Sequence, residues 1–497
     1  MYAINHRGED SHVFDALELA GVEYQVVDDR DGRANEVRPA EAVPVYLEVA
    51  PTSVRETFVY AYLEMESLQL LFSELHIGKN SADATDSGSP NRFKPTPQTP
   101  RATSTCMDDT ATNPAATVPE VDSFAEQARR RAETEREAVG WAIDELETLI
   151  DARGVDLEPL LEYARRSRES LPDRYRRAYE AMADVFDVDA PVYEVYVFAY
   201  SELCEELAEG PEPCSEKNPK GCTNALVAES SVADGADAAG PLVFKNRDIA
   251  GRGLRPKSIV EQPPIDDYHG ILTIDTCGTI SMFKGVNDQG LVAANTYIDS
   301  ESADVDPEDQ LRNGTVIRTL LEECATVDAA RAKLESHPTK HLMGQTLFLA
   351  DETDAVLLEV DPAAERIAAD EGPIATRTNH FVIAESTEAR SSTKRRRRAL
   401  ELLDDLEPLT REDLWTIARD HEHGPGDNSI CRHPEPEAGE YAMGQLTTAS
   451  TAVFEGGTPT IEVAMGNPCE GERLRYSFGD AVPADLRTGR RWLEGMS

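Results

Sequence analysis

The sequence has few lysines, no closely spaced cysteine pair and no long apolar run. Its eight cysteines form no CxxC motif, so the ligand spacing of zinc ribbons and of thioredoxin-like redox sites is absent. The most apolar run, VYEVYVFAY at 192–200, is interrupted by Glu194 and is far shorter than the roughly 20 residues that span a bilayer. Because no apolar signal segment follows Met1, we expect a cytoplasmic protein that makes no membrane contact.

Acidic residues dominate the charged fraction of the chain. There are 93 Asp and Glu residues against 49 Lys and Arg, only 10 of which are Lys, and the formal net charge is −44. Such a chain should repel the phosphates of nucleic acids and of anionic membranes. Molar salt shortens the Debye length to roughly 3 Å and screens the repulsion among carboxylates. We therefore interpret the composition as halophilic and expect no nucleic acid partner.

The chain is long enough for one large domain and a smaller unit. Its 497 residues are 40% hydrophobic, which is typical of a globular protein. Residues 1–80 combine short strand-like runs with an apolar stretch of helical pattern at 57–72, which predicts a small α/β or α+β accessory unit of unknown role. Residues 81–121 are rich in Ser, Thr, Pro and Asp without periodicity, which predicts a disordered linker. The main domain is expected at 122–497.

The main domain begins with helices and continues mainly with strands. Ser123, with Glu126 three residues later, predicts a helix start, and Gly154 predicts its end. From 222 onward the period is that of strands joined by turns, with helices at 311–335, 393–406 and 410–420 and a final hairpin. Helices beside runs of hairpins predict an antiparallel α+β architecture and not an alternating Rossmann-like one.

Cys222 lies where the pattern changes from helix to strand, directly after Gly221. The motifs FKNRD, GVNDQGLVAAN, TNHF, SSTKR and AMGNPC follow in that order. Over about 122–497 the sequence resembles the penicillin (isopenicillin N) acyltransferase family of N-terminal nucleophile (Ntn) hydrolases. That family is related to the choloylglycine or bile-salt hydrolases and to acid ceramidase. The resemblance implies an αββα sandwich and self-cleavage of the Gly221–Cys222 bond into two chains that stay associated.

The Gly–Cys pair has the chemistry that such a cleavage needs. Glycine permits strained backbone conformations that expose its carbonyl to the adjacent thiol, and hydrolysis of the resulting ester frees the Cys222 amine. An α-amine has a pKa of about 7.7 to 8.0 in model compounds. It can therefore accept the thiol proton near neutral pH, so that one residue supplies both base and nucleophile.

The resemblance also implies roles for five other residues. Lys245 and Asp248 match a basic-x-x-Asp element in which bile-salt hydrolases carry Arg, and the penicillin acyltransferase Gln, at the first position. An acceptor-only carboxylate at Asp248 would orient the Cys222 amine or thiol. Asn295 and Asn379 match polar side chains that flank the tetrahedral oxyanion. Arg395 matches the arginine of an SSxxR element near the active site.

The loop HEHGPGDNSICRH contains five potential metal ligands, namely His421, Glu422, His423, Cys431 and His433. Structural zinc usually takes two close ligand pairs, and a His-x-His with a Cys and a His ten residues later fits this requirement only loosely. No Walker or GxGxxG motif is present. We therefore expect neither a metal nor another cofactor.

The leading hypothesis is a cysteine amidohydrolase or acyltransferase that acts on a small-molecule acyl amide through a thioester. The sequence does not distinguish water from an amine as the acyl acceptor. A non-catalytic relative of the same fold, acting as a binding protein, is the alternative. A nucleic-acid regulator using the run KRRRR at 394–398 is a third hypothesis, which the charge of −44 opposes.

Overall fold

The computed structural model describes two compact units, Met1–Thr110 and Ala111–Ser497. In the second unit the described residues are 123–208, 221–233, 240–383, 390–406, 408–435 and 441–496. In the first unit only four strands are described. The predicted linker at 81–121 lies outside the described residues, and the predicted domain boundaries remain predictions.

The four strands of the first unit form one mixed sheet. They are β1 (Tyr2–Asn5), β2 (Gln25–Asp28), β3 (Val43–Leu47) and β4 (Val59–Leu63), in the order β2-β1-β4-β3. The helical pattern predicted at 57–72 is therefore wrong for Val59–Leu63. Three of its five residues are β-branched or aromatic, and it pairs with a strand on each side. Such pairing overrides a weak helical period.

The second unit contains two antiparallel sheets and several helices. Its strands are β5 (Gly221–Val227), β6 (Leu242–Ile249), β7 (Lys257–Gln262), β8 (Ile271–Thr276), β9 (Lys284–Asn287), β10 (Val292–Tyr297), β11 (Gln345–Ala350), β12 (Ala355–Asp361), β13 (Arg366–Asp370), β14 (Ile374–Arg377), β15 (Thr447–Glu455), β16 (Thr460–Met465) and β17 (Leu474–Ser477). The helices are α1 (Phe124–Arg153), α2 (Glu158–Glu169), α3 (Asp173–Ala183), α4 (Ala190–Phe198), α5 (Tyr200–Leu207), α6 (Asn313–Glu323), α7 (Val327–Glu335), α8 (Arg390–Leu406), α9 (Arg411–Ala418), α10 (Ala484–Arg487) and α11 (Arg490–Met496).

The strands form a seven-stranded sheet in the order β13-β12-β11-β10-β9-β8-β7 and a six-stranded sheet in the order β14-β5-β6-β15-β16-β17. One hydrophobic core lies between the two sheets and includes Leu226 of β5 and Phe348 of β11. A second core packs α6 and α7 on the seven-stranded sheet, and a third packs α8 and α9 on the six-stranded sheet. The predicted αββα architecture is therefore confirmed.

Helices α1 to α5 form a further core with the loops that follow β6 and β8. Helix α1 begins at the predicted cap, where the Ser123 side chain accepts a hydrogen bond from the backbone N–H of Glu126. It ends at Gly154, whose φ of 66° is the left-handed conformation that favours glycine. In the part of the chain that the structure describes, no helix is long and apolar enough to span a membrane.

Candidate active site

Strands β5 and β6 place the proposed nucleophile beside two basic residues. Their antiparallel register pairs Cys222 with Arg247 and Asn224 with Lys245. Side chains alternate between the two faces of a strand. Leu226 on β5 packs in the core between the sheets, so Cys222 and Asn224 also face the other sheet.

Lys245 makes the direct contact to the Cys222 thiol. Its Nζ donates to Cys222 Sγ at 3.4 Å and also donates to the backbone carbonyl of Asn295. Burial lowers the pKa of Lys245 below its usual value, and the nearby Arg247 lowers it further, whereas the charge of a Cys222 thiolate raises it. Lys245 therefore lies where its ammonium would pair with a thiolate of Cys222.

Arg395 fixes the backbone on the other side of Cys222. Its Nη1 donates to the Cys222 carbonyl at 2.6 Å and to Thr223 Oγ1 at 3.0 Å, and its Nη2 donates to Asn379 Oδ1 at 2.9 Å. The side chain is 1% exposed, and burial lowers the pKa of Arg395 to about 9. Within the KRRRR run, Arg398 instead pairs with Asp420, so the run is divided between the site and the surface.

Asn379 contacts the backbone of the proposed nucleophile through its oxygen. Its Oδ1 accepts a hydrogen bond from the Cys222 backbone N–H at 3.0 Å, while its Nδ2 donates to the Tyr297 carbonyl at 2.9 Å. The sequence predicted an N–H donor to an oxyanion at this position. The observed oxygen would in addition orient the amine that cleavage frees at Cys222.

Asn295 lies on β10, in the opposite sheet. Its backbone carbonyl accepts from Lys245 and from Asn224, and its Nδ2 donates to Gln345 Oε1 at 3.2 Å. The side chain lines the same cavity as Cys222. An amide carries two N–H groups, so one N–H of Asn295 can still be offered to a substrate.

Asp248 lies opposite Gly221 at the end of the paired strands. Its Oδ1 accepts from Thr448 Oγ1 at 2.8 Å. Its Oδ2 is buried and has no hydrogen-bond partner among the described residues, although Arg432 Nε lies 3.5 Å away. The predicted contact from Asp248 to the Cys222 amine or thiol therefore stays a prediction for the cleaved chain. The free oxygen is an acceptor beside the bond expected to break.

Glycine at position 221 leaves space for two neighbouring side chains. A Cβ atom at this position would lie 2.9 Å from Asp248 Oδ2 and would also meet the Arg432 guanidinium. The residue is part of strand β5 and does not have the positive φ that favours glycine. The structure therefore does not support a strained, positive-φ backbone at Gly221. Instead, the absence of a side chain allows Asp248 and Arg432 to approach the Gly221–Cys222 bond.

A cavity of about 100 Å³ opens next to the thiol. It is lined by residues from the six-stranded sheet, from β10 and from helices α4 to α6, and these include Cys222, Arg247, Asp248, Arg255, Asn295 and Arg312. Arg247 donates to Asp275 Oδ1 at 3.0 Å, and its guanidinium lies 3.6 Å from the centre of the Phe283 ring. The reacting atoms would thus meet a buried, positively charged pocket.

Two contributors were not found from the sequence. Arg432 lies in the HEHGPGDNSICRH loop and reaches Asp248 although 184 positions separate them in sequence. Arg247 lies within the element KNRD, but no role was predicted for it. The same loop brings His421, Cys431 and His433 together, and they are joined by Cys469, which the sequence analysis had not grouped with them. The exposed Glu422 and His423 are not in this group.

Comparison with known proteins supports the resemblance noted in the sequence. The model of the acyl-coenzyme A:6-aminopenicillanic acid acyl-transferase family matches residues 235–469. The resemblance to the penicillin acyltransferase family is therefore confirmed. The matched segment contains Lys245, Asp248, Asn295, Asn379 and Arg395 but begins after Cys222. No curated protein sequence matches the chain.

Several solved structures are similar to part of the chain. Penicillin V acylase from Agrobacterium tumefaciens is 14% identical with a TM-score of 0.33, and the match covers 49% of this chain and 83% of that one. A mutant of conjugated bile acid hydrolase from Clostridium perfringens is 11% identical with a TM-score of 0.35, and the match covers 52% of this chain and 97% of that one. An N-acylethanolamine-hydrolyzing acid amidase orthologue from Caenorhabditis elegans is 14% identical with a TM-score of 0.33, and the match covers 48% of this chain and 94% of that one.

Proposed function

We propose that the protein is a self-processing cysteine Ntn hydrolase that cleaves small N-acyl amides through a Cys222 thioester. The observation that carries the proposal is the convergence of three polar groups on one residue. Lys245 contacts the Cys222 thiol, Asn379 its backbone nitrogen and Arg395 its carbonyl. Any buried residue needs partners for its backbone groups, but a buried thiol with no catalytic role would need no ammonium beside it.

The first step is the cleavage of the precursor. The Cys222 sulfur attacks the Gly221 carbonyl carbon, and the proton of the thiol passes to the departing amide nitrogen as the C–N bond breaks. Water then hydrolyses the resulting thioester and restores the thiol. This leaves a carboxylate on Gly221 and a free amine on Cys222. Asn379 Oδ1 would accept a hydrogen bond from that amine, because it already bonds to the same nitrogen. Asp248 Oδ2, which is buried and has no hydrogen-bond partner among the described residues, would be a second acceptor.

Turnover then uses the freed amine as the base. It takes the proton of the thiol, the sulfur attacks the substrate carbonyl, and the proton passes to the departing amine as the C–N bond breaks. Water attacks the thioester in the second half of the cycle, releases the carboxylic acid and restores the thiol. One N–H of Asn295 is available to stabilise the oxyanion. We favour water over a second amine because water needs no second pocket beside the thiol.

Cleavage is tested by the N-terminal sequences of protein purified in high salt. We expect chains 1–221 and 222–497, the second beginning Cys-Thr-Asn, and an intact chain for Cys222→Ala. Cys324→Ala is a matched control, since Cys324 is also a buried free cysteine but is not among the residues that line the cavity. An intact wild-type chain, or cleavage in Cys222→Ala, would refute self-processing.

Turnover is tested by incubating processed protein with N-acyl amides, acyl-homoserine lactones and penicillins, followed by mass spectrometry of Cys222. An acyl adduct that water discharges supports the hydrolase. An adduct that is discharged only by an added amine would make the protein an acyltransferase. Neither adduct nor turnover across the panel would favour a binding protein of the same fold.

A further inference from the structure

Four side chains from separate parts of the chain meet outside the candidate active site. His421 follows α9, Cys431 and His433 lie ten and twelve residues later, and Cys469 follows β16. One potential ligand atom from each, two imidazole nitrogens and two sulfurs, lies within 4.8 Å of all the others. Cys431 is buried, the two histidines are partly buried and Cys469 is exposed.

The distances among these atoms are those of a small tetrahedron. Zn–S and Zn–N bonds of about 2.3 and 2.0–2.1 Å, at tetrahedral angles, require separations of roughly 3.8 Å for S–S, 3.6 Å for S–N and 3.3 Å for N–N. The two sulfurs lie 3.7 Å apart, and the two Nε2 atoms 3.0 Å apart. His433 Nε2 lies 3.2 Å from Cys469 Sγ and 3.7 Å from Cys431 Sγ.

Further contacts hold two of the four residues, Cys431 and His433, in this arrangement. Asn467 Nδ2 donates to Cys431 Sγ at 3.5 Å, and the Cys431 backbone N–H donates to the Asp420 carbonyl at 3.1 Å. The other ring nitrogen of His433, Nδ1, lies 3.8 Å from a Glu470 carboxylate oxygen. Amide donors to sulfur and carboxylates behind imidazoles are the usual outer partners of metal ligands.

We propose that His421, Cys431, His433 and Cys469 bind one zinc ion in a closed, tetrahedral, structural site. Two thiolates and two imidazoles are the donor set that favours Zn²⁺, and four protein ligands leave no open position for a substrate. A disulfide between Cys431 and Cys469 would give the two sulfurs a partner, but it would give no reason for two imidazoles to meet at the same point.

The zinc site would brace the candidate active site through Arg432. This residue lies between two of the ligands in sequence, and its Nη2 donates to Ser391 Oγ at 2.7 Å while Nε approaches Asp248. A metal that holds both neighbours of Arg432 would fix where the guanidinium enters the sandwich. The ion would thus tie the loop to the turn after β16 without taking part in the reaction.

The test is the metal content of full-length protein purified without a metal-affinity step. We expect elemental (inductively coupled plasma) mass spectrometry to find about one zinc ion per chain. The protein should retain this zinc during dialysis against a weak chelator. Cys469→Ser and His421→Ala should lose it. His423→Ala is the matched control, because His423 is on the same loop, is exposed and is outside the cluster; it should keep the full zinc content.

Cobalt provides a second measurement that does not depend on activity. Protein refolded with Co²⁺ should show the absorption of a tetrahedral ion and a thiolate-to-metal charge-transfer band, both absent in Cys469→Ser. A folded, reduced wild-type protein that takes up neither ion would overturn the proposal. So would a Cys431–Cys469 disulfide in freshly isolated protein, or equal loss of zinc in His423→Ala and Cys469→Ser.

Discussion

Replacement of Lys245 separates a role for its charge from a role in packing. Lys245→Met keeps the length of the side chain and removes the ammonium, whereas Lys245→Arg keeps a positive charge. The Asn295 carbonyl retains a donor in both variants, because Asn224 Nδ2 also donates to it at 3.1 Å. The loss in Lys245→Met should therefore come from the contact to the thiol.

The distance between Lys245 and Cys222 sets the size of the effect. At 3.4 Å, an ammonium attracts a thiolate by about 5 kcal/mol at an effective dielectric constant of about 20. Since about 1.4 kcal/mol corresponds to a factor of ten, the largest expected loss is between about 10³- and 10⁴-fold. A water molecule can replace part of the attraction, and we therefore expect acylation by Lys245→Met to slow by at least about 100-fold.

The assay is the rate of acyl-adduct formation on processed protein, measured as a function of pH. Because burial lowers the pKa of Lys245, the wild type should lose the ammonium, and its rate advantage, as the pH rises through that lowered value. The ordinary pKa of Arg is well above that of Lys, so Lys245→Arg should keep its rate to higher pH. A purely structural role for Lys245 would leave the shape of the pH profile unchanged.

Lys257→Met is the matched control. Lys257 is also buried in the sandwich, but its Nζ donates to Thr276 Oγ1 at 2.7 Å and does not contact Cys222. Its removal should change the acylation rate by no more than a few-fold. The reasoning fails if Lys245→Met acylates nearly as fast as the wild type, or if Lys257→Met loses as much.

Three other predictions follow from the same contacts and from the charge of the chain. Asp248→Asn should lower turnover per folded chain, because the Cys222 amine loses a carboxylate, and should lower the Tm, because Arg432 loses its ion pair. Normal steady-state rates would exclude a role of Asp248 at the amine. Asn295→Ala and Asn379→Ala should each lower kcat by about 100-fold or more if they donate to the oxyanion, whereas Asn379→Asp, which keeps the oxygen but not the N–H, tests whether the oxygen alone suffices. The Tm should rise from dilute buffer to molar KCl as screening reduces carboxylate repulsion, and calorimetry that finds a flat or falling Tm would contradict a halophilic protein.

Local patterns predicted the parts of the fold that short segments determine. The cap at Ser123, the end of α1 at Gly154 and the turn of the final hairpin between β15 and β16 each depend on residues within a few positions of one another. Strand β4 was not predicted by its local pattern, which indicated a helix. Its identity depends on neighbours far away in the chain, and a helical period in isolation could not reveal them.

In the candidate site, too, residues within short motifs could be found from the sequence, whereas residues brought in by distant contacts could not. Lys245 and Arg395 lie in recognisable motifs, and in the structure both contact Cys222. Arg432 and Cys469 could not be found this way, because each reaches its partners only when the loop after α9 packs against β6 and the turn after β16. Without Cys469 the loop supplies only three of the four ligands in the cluster, which is too few for a closed zinc site.

The excess of buried positive charge explains how the site could favour a reaction that creates negative charge. Lys245, Arg247 and Arg395 all lie within the sandwich or its helical layer, and burial lowers the pKa of each of them. This direction means that the neighbouring anions do not fully offset the cost of burying these cations. A thiolate on Cys222, and then an oxyanion on the substrate, would supply the missing negative charge. Because the cations are already in place, the transition state would be stabilised without reorganisation of the surrounding groups.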